Sequence, residues 1–513
     1  MHDQSDAAPP LLLRGVRRVG GPAGGRFDVR LERGLVAEVG ERLTTRGAEV
    51  LDADGGWVLP GLWDQHVHLG QWGLTFGRLD TAGTTTPRQV LDLVGRRVAE
   101  LEARGAPTDA VVTGFGHRTG HWTEPALVSE LDSVAGDHPV LLITGDVHGC
   151  WMSSAALRLV GLPLREGPVE ERDWFEAQPL LLGLPGADAQ NEAGVAAAVR
   201  AASARGVVGL TDFEFAPNHL LWPQRLLAGV SGVRVRAGVY PDGLEEVIAL
   251  GLSSGSALAP EQDPDGLLRM GPLKIISDGS LNTRTAWCCE PYAVGVDPHP
   301  GAQHLHGTVN FAAEELQQLL GRAHAAGLEA AVHAIGDAAV GAVADAFERT
   351  GVRGSIEHLQ LARHEDLHRL AALGVRASVQ PFHLWDDRDV TELNWPGRAD
   401  RCFMFASMLA AGLELSLGSD APVAPLDPWL AMAAAVHRSA DDREPWHAEE
   451  AITPAQALAA STGGVRRLEV GGPGDLVLVD RDPLAPTGST AEAAALLQSV
   501  QVRATVVAGR RTH

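Results

Sequence analysis

The sequence predicts a (β/α)₈ barrel of the TIM type, flanked by a small β-sandwich that both chain ends build. Three observations lead there. From about residue 200 onward, amphipathic stretches of helix length alternate with short β-rich apolar runs. A glycine stands at most of the junctions where a helix gives way to a strand. The strands counted this way number eight, and eight βα units close naturally into a barrel.

The first strand is expected at Trp57–Leu62. Gly206 then precedes Val207–Leu210, and Gly232 precedes Val233–Tyr240. The fourth strand is Pro272–Ser277. Gly327, Gly351, Gly374 and Gly412 precede Leu328–His333, Val352–His358, Val375–Gln380 and Leu413–Leu417. Glycine ends a helix well because it takes the left-handed conformation without a side-chain clash. Strands separated by helices must run parallel. An open doubly wound sheet shows the same alternation, but the count of eight favours closure.

The ends of the chain differ in texture. Residues 11–55 read as short strands with turn glycines: LLLRGVRRV, RFDVRLERGLVAEVG, AEVLDADG. Residues 470–513 repeat the pattern in DLVLVDRDP and VRATVVAGRR. The expected division is residues 1–56 for the first part of a sandwich, 57–465 for the barrel and 466–513 for the second part. The stretch between the first strand and Gly206 is too long for a simple connection. It predicts an inserted subdomain at about 75–200, after the first barrel strand and over the barrel mouth.

Composition narrows the function. The 513 residues are too many for one ordinary core and suit a large barrel with an appended module. Apolar residues make up 45%, enough for a sizeable core. A net charge of −23 repels phosphate backbones and anionic lipid, so neither nucleic acid nor a membrane is expected as partner. Cys150, Cys288, Cys289 and Cys402 form no CxxC pair, which suggests a reducing compartment. No signal-like segment opens the sequence, and no run reaches the roughly 18 apolar residues of a membrane span. A cytoplasmic protein acting on a small molecule is expected, and a homodimer is compatible with it.

The strongest local feature is LPGLWDQHVHLG at residues 59–70. His66 and His68 are two residues apart, so along a strand both imidazoles point the same way. Two imidazoles on one face can hold a divalent metal, although a bare pair also arises by chance in loops. Further polar residues stand at matching places. Lys274 lies within the fourth strand, His333 and His358 end the fifth and sixth, and Asp420 follows the eighth. Each has an ordinary alternative: a hydrogen-bonded core histidine, a helix cap near Pro428, a paired lysine. Together they are hard to explain as packing, because a buried charge is costly unless paired or metal-bound.

This pattern resembles the amidohydrolase superfamily: HxH after the first strand, Lys on the fourth, His on the fifth and sixth, Asp on the eighth. The words DQHVH, KIISDGSLNTRTA, HAIGDAA, IEHLQ, QPFH, GSDAPV and GGPGDLVLVDRDP resemble the branch that contains N-substituted formamide deformylases. The likeness runs from about residue 11 to the C-terminus and includes VVTGFGH and GDVHGCWMSSAAL in the insertion. The fourth-strand word departs from the usual DGSLGSRTA at Asn282 and Thr283.

The resemblance implies a metal-dependent hydrolase that cleaves a non-peptide carbon–nitrogen bond, of amide or formamide type. It implies one or two divalent ions, zinc first. His66 and His68 would hold one; His333 and His358 would hold a second or position substrate. Lys274 would be carbamylated by CO₂ into a bridging ligand. Asp420 would ligate metal weakly and serve as general base. Alternative chemistries on the same site are deamination and cyclic amide opening. A catalytically dead scaffold would have lost metal residues, and here all six positions are filled.

Arg284 is a candidate substrate anchor after the fourth strand, with a loop salt bridge as its alternative. His383 and Trp385 follow the seventh strand and are candidates for the pocket wall. Trp122, with His117 and His121 in GFGHRTGHW, is a candidate at the substrate entrance. His364 and His368 read as a solvated helix face, and His304 and His306 as a surface loop.

Overall fold

The computed structural model describes residues 9–21, 25–119, 122–145, 149–177, 180, 187–293 and 305–513. Contacts divide the chain into two compact units, Met1–Leu69 with Val199–His513, and Gly70–Ala198.

In the first unit the two chain ends meet in one hydrogen-bonded strand network. Leu11–Arg18, Phe27–Glu32, Leu35–Gly40, Glu49–Asp52 and Trp57–Pro60 come from the N-terminal side. Leu476–Val479, Val502–Val507 and Arg510–Arg511 come from the C-terminal side. Alternate side chains such as Leu11, Leu13, Val29, Leu31, Leu476 and Leu478 pack into a single apolar cluster. Period-two patterning of this kind is what a half-buried strand requires.

Trp57–Pro60 corrects the expected start of the barrel. It pairs antiparallel with Leu476–Val479 and belongs to the terminal sheet. The barrel begins instead at Leu62–Val67. Gly61 separates the two runs; a side chain there would overlap Val208, so the chain passes the second barrel strand at backbone distance. The consequence is that His66 stands on the strand itself, not beyond it.

Among the described residues the barrel sheet has eight parallel strands, and each pairs with the next in sequence. After Leu62–Val67 come Val207–Asp212, Arg234–Val239, Leu268–Ile276, Ala330–Ala334, Gly354–His358, Arg376–Val379 and Leu415–Leu417. Closure of the ring rests on backbone bonds at the C-terminal ends. Asp420 N donates to His66 O at 2.7 Å, and His68 N donates to Ala421 O at 2.9 Å. All six junction glycines named from the sequence have positive φ. Leu210, Leu273, Ile275, Val332 and Ile356 are fully buried, as expected of strands covered on both faces. The barrel interior departs from the usual bulky apolar filling. Thr211, Arg236, Glu329, Glu357, Arg376 and Ser378 surround a cavity of about 30 Å³ there.

The second unit has its own sheet, ordered Val169–Glu170, Gly149–Met152, Val140–Thr144, Val112–His117 and Leu79–Asp80. Its core gathers Leu131, Leu141, Trp151 and Trp174. Among the described residues no helix is long and apolar enough to cross a membrane.

Two glycines at one junction separate two kinds of constraint. Gly351 closes helix Asp337–Thr350 at φ 66°, with open space where a side chain would go. Gly354 opens the next strand, and a Cβ there would overlap the Ala330 carbonyl of the neighbouring strand. Gly351→Ala should cost about 1 kcal/mol, from backbone conformation alone. Gly354→Ala should cost about 3 kcal/mol or more, because backbone must move against backbone. Urea denaturation of both variants checks this; equal costs would refute the assignment of Gly354 to close packing.

Candidate metal centre

Strand alternation places Asp64 and His66 on one face of the first barrel strand, both buried. His66 Nδ1 lies 2.8 Å from Glu357 Oε2, on the sixth strand. Glu357 Oε1 accepts from Ser355 Oγ at 2.5 Å. Burial would raise the Glu357 pKa, but the His66 hydrogen bond and the nearby charges of His66 and Lys274 outweigh it and hold the carboxyl low. Burial, followed by the Lys274 charge, pushes His66 down to about 4. A neutral imidazole facing an ionised carboxylate donates its Nδ1 proton and leaves the Nε2 lone pair outward. That is the carboxylate–histidine arrangement that metal ligands commonly show.

His66 Nε2 faces the barrel mouth groups. It is 3.5 Å from Asp420 Oδ1 and 3.4 Å from Lys274 Nζ. His68 Nε2 is 3.4 Å from the same Asp420 oxygen. The His358 ring lies 5.0 Å from that of His66, centroid to centroid. One donor atom each from His66, His358 and Asp420 falls within a mutual 4.8 Å. His358 Nδ1 and His68 Nδ1 are buried without a hydrogen-bond partner among the described residues. Burial favours the neutral form of His66 and His358, whereas for His68 the Asp420 hydrogen bond and charge outweigh burial and raise its pKa. Imidazole nitrogens around one carboxylate suit a divalent ion, so the donor set fits a metal.

Backbone strain gathers at the same place. His358, Leu359 and Asp420 have φ of 71°, 43° and 60°, a region that side-chain-bearing residues seldom adopt. Burial would raise the Asp420 pKa. The surrounding His66, His68 and His358 outweigh it and keep the carboxylate well below its usual range. Asp64 holds this corner together: one of its oxygens accepts from His66 N at 3.1 Å and from Ser419 N at 3.0 Å. Burial raises the Asp64 pKa to about 6.

Lys274 is buried, and its Nζ lies 4.7 Å from the centre of the Phe213 ring. Among the described residues no carboxylate comes within ion-pair distance of it. Burial lowers its pKa to about 8, against the pull of Glu357 and Asp420.

His333 is nearby but turned differently. Its ring meets the His358 ring edge-on at 4.5 Å, yet its Nε2 lies 3.1 Å from Gly279 O and 3.3 Å from Asp278 Oδ1. Asp278 is fully buried and accepts from the backbone of Trp287, Ile335 and Gly336. The loop after the fourth strand therefore grips the end of the fifth.

The candidate substrate residues separate. His383 begins helix His383–Asn394; its Nε2 is buried, has no hydrogen-bond partner among the described residues, and lies 3.9 Å from Asp420 Oδ2. Arg284 is engaged within its own loop, donating to Ala293 O at 2.6 Å with its guanidinium 5.3 Å from the Tyr292 ring centre. Asn282, one of the two departures in the fourth-strand word, donates to Asp387 Oδ1 at 3.2 Å. Trp122, half-buried, packs on His117 against the core of the second unit and donates to Thr84 O. His364 and His368 are exposed, as a solvated face requires. His121 and His304 lie outside the described residues.

Sequence reasoning missed Glu357, Asp278 and the aromatic wall. Glu357 had a signal: an acid inside the strand word SIEH, directly before a candidate ligand. Phe215, which stacks on His68 at 5.3 Å and on Tyr240 at 4.7 Å, had none.

Comparison with known proteins supplies the family. The model of the Amidohydrolase family matches residues 49–513. The chain is 28% identical to Protein LONG AFTER FAR-RED 3 of Arabidopsis thaliana, covering 85% of this chain and 79% of that one. It is 27% identical to an N-substituted formamide deformylase of Arthrobacter pascens, covering 94% of each. A crystal structure of an uncharacterized metal-dependent hydrolase from Pyrococcus horikoshii superposes with a TM-score of 0.77 at 25% identity, over 93% of this chain and 98% of that one. A barrel with this donor cluster, matched by the family model over nearly its whole length, belongs to the amidohydrolase family and is a metal-dependent hydrolase.

Proposed function

We propose that this hydrolase cleaves the carbon–nitrogen bond of a small N-substituted amide, of formamide type, with Asp420 as the proton carrier. The observation behind this reading is the convergence of His66, His358 and Asp420 within 4.8 Å, beside the buried amine of Lys274. The likeness to a formamide deformylase over 94% of both chains supports the bond class.

His66, His68, His358 and Asp420 would hold the ion, zinc by donor chemistry, with His333 joining it or a second ion after rotating away from Gly279. Such an ion, when bound, acidifies a water and polarises the scissile carbonyl. Asp420 then takes the proton of the attacking water and passes it to the leaving nitrogen. A carboxylate kept ionised among imidazoles is ready for the first step. His383, whose buried Nε2 has no partner among the described residues, would meet the substrate carbonyl or its anionic product. Lys274, buried and without a carboxylate partner, suits carbamate formation: the neutral amine adds to CO₂, one new N–C bond forms, and Nζ releases a proton.

The first test joins metal and substrate. Purified protein should contain divalent metal by mass spectrometry and release amine from N-substituted formamides. His66→Ala should lose most of the metal and over about 99% of turnover, the scale of losing the water-activating group. A His66→Ala variant with full metal and activity would exclude the site.

Lys274→Ala should abolish turnover, and short carboxylates such as propionate should restore part of it. In metal-free protein, labelling by ¹³C-bicarbonate should increase as pH rises through about 8, since the amine reacts only when neutral. An active enzyme whose Lys274 takes up no label refutes the carbamate.

Asp420→Asn keeps size and some ligand ability but removes the basic lone pairs. It should retain most of the metal, lose turnover by about 10²–10⁴-fold, and lose the acidic limb of the pH–rate profile. Near-normal turnover with an unchanged profile would assign the base elsewhere.

A further inference from the structure

The other end of the barrel carries a second cavity. It has a volume of about 370 Å³ and lies among the starts of the first four barrel strands and the segment 462–475. Its charge is unusual for a protein of net charge −23. Arg234, Arg236 and Arg269 all line it, with Asp475 as the lone carboxylate among its lining residues.

Strand register places the three arginines side by side in the cavity lining. Arg234 and Arg236 are two apart on the third strand and share a face. Arg269 is the register partner of Arg236 on the fourth. Their charges are not equally answered. Arg234 is paired with Asp475 through two bonds, Nε to Oδ2 at 2.6 Å and Nη2 to Oδ1 at 3.1 Å. Arg236 and Arg269 have no carboxylate within ion-pair distance among the described residues. The nearby Glu329 is already paired with Arg376 at 2.7 Å. Two positive charges therefore face the cavity.

Trp63 gives the cavity a flat apolar wall. The Arg236 guanidinium lies 4.5 Å from its ring centre. The ring is wedged between Gly209 and Gly463, where any side chain would press on it. Leu267 and Val465 add apolar surface.

We propose that this basal cavity is a second, non-catalytic binding site for a small flat organic carboxylate. The planar fork of arginine matches a carboxylate, and two unanswered guanidinium groups can both donate to it. The ligand's apolar body packs against the exposed part of Trp63 together with Leu267 and Val465. The volume lies at the lower end of the range for small-molecule sites. No metal-ligating or nucleophilic cluster lines the cavity, so the ligand is held and not transformed.

Isothermal titration of the metal-loaded protein with benzoate tests the site, with benzamide as its uncharged counterpart and inorganic phosphate as a bare anion. Benzoate should bind saturably, and benzamide at least about tenfold more weakly, the loss of one charge-assisted contact. Arg269→Gln is exposed and should fold normally; it should weaken benzoate by about tenfold. Arg236→Gln should weaken it at least as much, and if that variant fails to fold, Arg269→Gln decides alone. Benzoate held at the metal centre would bind equally well in Arg269→Gln, and that result overturns the proposal. Absence of saturable binding up to roughly 10 mM, weaker than any affinity a built site of this kind should show, also overturns it. So does phosphate binding that depends on Arg269 while benzoate does not bind.

Discussion

The hydrogen bond from Asp420 N to His66 O closes the barrel, and the candidate metal centre exists only because that closure happens. His66 and Asp420 are far apart in sequence. They meet because the last strand runs into a tight turn against the first. Asp64 reinforces the seam by accepting from both His66 N and Ser419 N with one oxygen. Gly418 lets the chains approach, since a Cβ there would stand 2.8 Å from His66 N. The left-handed φ of Asp420 turns its carboxylate inward at this point. Fold and site are thus stabilised by the same contacts, and strain at Asp420 is carried by the surrounding ladder.

Electrostatics around the seam follow from burial. The imidazoles of His66 and His358 are pushed toward neutrality by burial, and the carboxylates of Glu357 and Asp420 are held ionised by their neighbours. A site arranged this way has open imidazole lone pairs beside an ionised carboxylate before any ligand arrives. Glu357 adds orientation. By accepting a hydrogen bond from His66 Nδ1–H it selects the tautomer whose other nitrogen faces Asp420 and Lys274. The two acids therefore stand differently: Glu357 fixes a ring, and Asp420 lies ionised among the imidazoles.

Much of this was visible in the sequence because strand periodicity is rigid. HxH had to present two rings together, and the junction glycines marked where helices end. The candidate metal-site residues stood out because they fall in or just after the C-terminal parts of barrel strands. The limits were also physical. WVLP and LWDQHV are adjacent apolar runs, and nothing local says that Gly61 hands the chain from one sheet to another. The partner of His333 is a backbone carbonyl, Gly279 O, which depends on loop conformation that residue types do not encode. Trp122 carries the composition of a pocket residue, but a tryptophan beside a histidine also suits packing, and here it lies half-buried against the core of the second unit.

The barrel interior explains how one strand layer can serve two ends. An all-apolar filling would insulate the base from the metal centre. Here Arg236 borders both the basal cavity and the small interior one, and Glu357 borders the interior one from above. Charged groups in that position persist only if each is balanced or solvated. Glu329 answers Arg376, and His66 together with Ser355 answers Glu357. Arg236 is the member left over. It stacks on Trp63 and meets no carboxylate at contact distance among the described residues; Glu329, whose charge reaches it, is already paired with Arg376. The same polarity that orients His66 at the top therefore leaves a positive charge to be met at the bottom.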